Sequence, residues 1–118
     1  MNYPGILKEI LEIYRKHGWR VSRVLLSGAA VKSIGEDCEL LDGLIVESSD
    51  IDAVWFERPS TKGKLAIELR SLSETPFALF ELVDDSESAE KIEKVRERVE
   101  RKMAVRASQA EKSGSEGD

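Results

Sequence analysis

Apolar positions recur at three- and four-residue spacing near the start of the chain. Ile6, Leu7, Ile10, Leu11, Ile13 and Tyr14 form a wide stripe, the mark of a helix packed on a core. Pro4 suits a first helical turn, where its missing N–H costs nothing. Gly18 follows Lys16 and His17 and suits a left-handed C-cap. The pattern predicts a helix over 4–17, with Trp19 folding back onto its last turn.

The period then changes. Residues 20–26, RVSRVLL, alternate and then turn apolar, which predicts a strand. Residues 27–40 fit either a short helix or a loop. Residues 41–47 suggest a short strand interrupted by Gly43, followed by a turn at Ser48-Ser49. Residues 51–57, IDAVWFE, are β-branched and aromatic and predict another strand. A hairpin loop over 58–63 follows. In residues 64–70, Leu65, Ile67 and Leu69 share one face while Lys64, Ala66, Glu68 and Arg70 share the other, as in a strand with one dry and one wet side. Residues 77–83, FALFELV, are apolar on both faces and predict a central strand.

Carboxylates and hydroxyls at 84–88 suit the start of a last helix. Its stripe, Ile92, Val95, Val99 and Met103, is thin. Its exterior carries the i,i+4 pairs Glu87/Lys91, Glu90/Lys94 and Glu97/Arg101. The expected fold class is therefore α+β: an N-terminal helix, a four- or five-stranded, mostly antiparallel meander sheet and a long C-terminal helix. Both helices are expected on one sheet face, leaving the other open. Residues 1–106 form a single α+β domain on this reading, and 107–118, ASQAEKSGSEGD, form a disordered polar tail.

Composition sharpens the picture. The 118 residues, 41% hydrophobic and 35% charged, suffice for one modest core. No apolar run is long enough to span a bilayer, and the N-terminus lacks the pattern of a secretory signal. One cysteine, Cys38, forms no internal disulfide, and a single histidine leaves no His/Cys zinc set. A cytoplasmic protein without a membrane partner is expected. The net charge of −5 argues against binding a nucleic-acid backbone. Residues 36–57 are the anomaly, with eight acids and neither Lys nor Arg. Such a block suits a solvated loop and outward strand positions, a hard divalent cation or a basic partner. Cys38 lies among these acids, which blunts its nucleophilicity, and His17 suits a helix C-terminus.

Candidate chemistry centres on Asp50 and Asp52, either side of Ile51 in SSDIDAVWF. On a strand, such positions point to one face, and two carboxylates so placed can share divalent metals. Glu68, on the wet side of the next predicted strand, is the candidate third ligand. The stretch resembles the signature of the nucleotidyltransferase superfamily, especially its minimal antitoxin-like members. Those have a helix, a strand ending in a Gly-Ser turn, a strand with Asp-x-Asp and a further acid. Leu25-Leu26-Ser27-Gly28, Ser49-Asp50-Ile51-Asp52 and Glu68 are the matching residues, and the resemblance covers roughly residues 4–56. It implies Mg²⁺ and a nucleoside triphosphate, with Asp50 and Asp52 as metal ligands and Gly28 near the phosphates. The turn here reads Ser-Gly, 21 residues separate Gly28 from Asp50, and a Pro-Gly hairpin stands where that family has a helix.

The other expectation is a small non-catalytic binding or assembly module without a cofactor, joining a protein partner or a second copy. It would use the open sheet face or the C-terminal helix. Trp55 and Phe56 must face opposite ways. Trp55 then either enters the core or, beside Arg58, anchors a partner. Val95 and Val99 on the last helix complete the candidate interface.

Overall fold

The computed structural model describes residues 2–35 and 38–116, and side chains in the last helix as far as residue 108. The chain runs α1 (Tyr3–Lys16), β1 (Arg20–Leu26), α2 (Gly28–Ile34), a 3₁₀ turn (Glu39–Leu41), β2 (Val46–Ser48), β3 (Ala53–Pro59), β4 (Lys64–Ser71), β5 (Ala78–Asp84) and α3 (Ala89–Glu116). The strands form one sheet in the order β2-β1-β3-β4-β5. β1 and β2 are parallel, and the other neighbours are antiparallel.

Local chemistry explains the ends of the elements. Asn2 caps α1, its Oδ1 accepting from Gly5 N at 3.0 Å. The helix closes in a Schellman motif: Trp19 N donates to Tyr14 O, Gly18 N donates to Arg15 O, and Gly18 takes φ 86°. Trp19 then meets Tyr14 edge-on at 5.9 Å. Ser27 caps α2 through its Oγ, and Gly35 ends that helix at φ 89°. α2 therefore resolves the stretch left open between helix and loop. It carries the chain across to β2, which lies parallel to β1, as such a crossover demands.

The hairpin of β3 and β4 sets Trp55 opposite Leu69 and Phe56 opposite Glu68. Their alternation fills two cores. On one face, α1 and α2 cover Val24, Leu26, Val54 and Phe56 with Leu7, Ile10, Leu11 and Ala30. On the other, α3 covers Leu25, Trp55, Ile67 and Leu69 with Val99 and Met103. The first and last helices thus lie on opposite faces, not on one. The reason is that both sides of β3 are apolar and each needs a cover. β5 is an edge strand, not a central one. Its Ala78, Phe80 and Leu82 remain exposed while Val83 is buried. α3 continues through the segment expected to be a polar tail as far as Glu116. Ala107, Gln109, Ala110, Glu111 and Lys112 suit a helix, and no proline interrupts them. Residues 117–118 of that expected tail lie outside the described residues.

Candidate interaction edge

The three carboxylates proposed as a metal set do not come together. β3 begins at Ala53, so 50–52 precede the strand and its alternation does not reach them. Asp50 lines a shallow cleft with Glu97, Glu100 and Arg101 on the α3 side. Asp52 turns the other way. Its carboxylate accepts from Ser27 N at 2.7 Å, Ser27 Oγ at 3.1 Å and Tyr3 OH at 3.3 Å. The backbone oxygen of Asp52 accepts from Leu72 N. Glu68 therefore stands four residues further along β4, roughly 13 Å at the rise of a strand. It accepts from Tyr14 OH instead. Burial first, then the Glu68 carboxylate, pushes the Tyr14 hydroxyl well above its ordinary value. Among the described residues no group of three potential ligands shares a site.

Gly28 opens α2, but the Asp52 carboxylate already occupies the turn before it. The helix is only seven residues long. A phosphate brought there would face a negative charge, so the residues do not fit the phosphate role.

The four candidate interface residues also sort themselves. Trp55 and Val99 are each 1% exposed, and Val95 packs against the same α3-side core. Trp55 is core because α3 covers its face of the sheet, and Val95 and Val99 lie on the side of α3 that does the covering. Trp55 Nε1 donates to Glu100 at 2.8 Å, and the Arg96 guanidinium lies 6.0 Å from its ring. Arg58 is exposed, yet it serves α1. Its Nη1 donates to His17 O at 2.9 Å, and its guanidinium lies 5.4 Å from the Trp19 ring.

The open apolar surface lies elsewhere. α1 sets its buried residues on β1 and β3 and leaves β5 uncovered. Phe80 is 52% exposed, Leu82 48% and Ile13, on the outer side of α1, 49%. They line the same side of the sheet, because Phe80 pairs with Glu68 and Glu68 reaches Tyr14 of α1. Beyond them the outer edge of β5 pairs with no strand among the described residues. Ser71 N donates to Phe77 O, and Asp85 N donates to Gly63 O. Odd-numbered residues of β5 therefore face β4. Ala78, Phe80, Leu82 and Asp84 direct their N–H and C=O groups outward.

The other edge differs. β2 is three residues long, and its Glu47 is held by Arg23 Nε at 3.3 Å. Short length and an anchored charge are the usual means of blunting an edge. β5 has seven residues and two large apolar side chains. Both faces of 77–83 are apolar, the pattern of a strand in the sheet centre. An edge strand gives the same reading when one face is left open, and only the helix positions tell the two apart.

No family model, curated protein or solved structure matches the chain. No helix among the described residues is long and apolar enough to cross a membrane.

Proposed function

We propose that the protein is a small non-catalytic interaction module that takes up an extended strand of a protein partner on the outer edge of β5. The observation that carries this reading is a seven-residue edge with outward backbone groups at 78, 80, 82 and 84, beside the exposed Phe80 and Leu82. Main-chain hydrogen bonds supply affinity in such strand addition, and pockets for alternate side chains supply selectivity. Phe80 and Leu82, two residues apart on one side of β5, offer that apolar floor. The reading keeps the cytoplasmic setting, the lack of a cofactor and the absence of nucleic-acid binding expected from the sequence.

The test is selection from a library of short extended peptides, followed by amide-shift mapping of the winners. Shifts at 78–84 and on facing β4 residues, lost in Phe80→Lys, are expected. Footprints confined to other surfaces would reject the reading. A parallel Mg²⁺ titration guards against the nucleotidyltransferase-like alternative. Amide shifts converging on residues 50, 52 and 68 would favour that enzyme instead.

A further inference from the structure

We propose that the strand received by β5 is the β5 of a second copy, antiparallel and centred on Glu81, which joins two five-stranded sheets into one of ten. This rests on the reading of β5 as a strand-accepting edge and goes on to name its occupant.

The strand is complementary to itself in one register. A two-fold axis perpendicular to the sheet at Glu81 sets Ala78 opposite Asp84 of the second copy, Leu79 opposite Val83, and Phe80 opposite Leu82. All seven residues of β5 are used. The outward groups of 78, 80, 82 and 84 meet one another and close every free backbone position on the edge. On the open face, two Phe80–Leu82 contacts cover side chains that are otherwise half exposed.

Charge selects this register. Within one sheet, Arg70 on β4 lies opposite Ala78, and Lys64 opposite Asp84. Lys64 Nζ holds Asp84 Oδ1 at 2.7 Å. In the proposed pairing, Asp84 of the second copy lands beside Ala78, whose small side chain lets Arg70 exchange its bond to Ser71 O for one that reaches across it. Each Asp84 then lies between its own Lys64 and the other copy's Arg70. The central Glu81 residues come together on the opposite face, where each is already held by its own Arg98 at 2.6 Å. Like charges at the centre are thus offset within each copy.

The neighbouring registers are worse. Centring on Phe80 sets Asp84 against Pro76, which has no N–H to give, and breaks the Arg70 contact. Centring on Leu82 brings Asp84 against Phe80, beside Glu68, so that two carboxylates face each other. The isologous contact consumes both long edges and leaves only the short β2 at either end, so it closes as a dimer and does not propagate.

A single strand edge is a small interface, so a weak, concentration-dependent dimer is expected. Sedimentation velocity from low to high micromolar protein should show a growing dimer fraction. Arg70→Asp and Asp84→Arg should each weaken association by about tenfold, since two exposed ion pairs are lost by symmetry. The double variant should regain most of it, a recovery that misfolding would not produce. In a Cys38→Ser background, Glu81→Cys should form an intermolecular disulfide under mild oxidation, because facing non-hydrogen-bonded residues lie within disulfide reach. Cross-linking favoured at Phe80→Cys or Leu82→Cys would overturn the register. A folded protein that stays monomeric throughout, with Glu81→Cys uncrosslinked, would overturn the dimer. If library peptides still bound β5, the module reading would stand without it. If they did not, both would fall.

Discussion

The two faces of the sheet are covered by different physics. α1 and α2 seal theirs by burial. Leu7 and Phe56 are 0% exposed, and Phe56 stacks on Tyr14 with ring centroids 3.9 Å apart. α3 buries a thin seam, Val99 and Met103, and relies on charges along its flank. Arg23 grips both carboxylate oxygens of Glu93 at 2.7 and 3.0 Å. Arg96 reaches Glu57 at 3.4 Å and Glu93 at 3.6 Å, and Glu100 accepts from Trp55. A helix with few buried apolar residues can be held in register by partly covered ion pairs, at the cost of sensitivity to salt and acid. A broad apolar stripe carries no such sensitivity.

The contrast breaks most sharply on the α1 side. Phe56→Ala should cost about 3–5 kcal/mol in urea unfolding, because the lost ring leaves a cavity under α1. A loss near 1 kcal/mol would mean that this face is loosely packed. Asp52→Ala should cost about 1–2 kcal/mol, since it leaves the Ser27 N–H without the carboxylate that accepts from it at the start of α2. Protection of the α1 and α2 amides from hydrogen exchange should fall with it, while α3 stays protected.

On the α3 side the effects are smaller and depend on conditions. Glu93→Gln should cost about 1 kcal/mol, the pair being partly exposed and therefore screened. Hydrogen bonds from Arg23 hold the Glu93 carboxyl below its ordinary value, against the pull of burial. A depressed carboxyl contributes stability above its unfolded value and loses it as pH falls through the folded one. The gap between wild type and Glu93→Gln should therefore be full at neutral pH and begin to close only once pH falls below the ordinary carboxylate range. High salt should narrow the same gap yet leave the Phe56→Ala cost unchanged. A gap indifferent to pH and salt would show that α3 is held by its apolar seam alone.

Much of this architecture is legible along the chain. The stripe from Ile6 to Tyr14, the alternation of 64–70 and the β-branched and aromatic run at 51–57 each define an element, the last with its start two residues late, at Ala53. α2 and β2 span only seven and three residues, too few for either period to assert itself. The candidate metal set failed for a related reason. Same-face placement at i and i+2 holds within a strand, and residues 50–52 lie in the bend before one. The interface residues were misplaced because adjacent Trp55 and Phe56 demand two covers. The sequence does not show which helix supplies each, and the exposed surface follows from that choice.

β1 has β2 on one side and β3 on the other, and both come later in the chain. Emerging from a ribosome, Val24 and Leu25 wait for their β3 partners, Val54 and Ala53, to be made. The β3–β4 and β4–β5 hairpins, by contrast, close over short turns and can form as soon as they are made. The first strand to be translated is thus held by partners that follow it in the chain, whereas β3, β4 and β5 pair with their immediate neighbours in sequence.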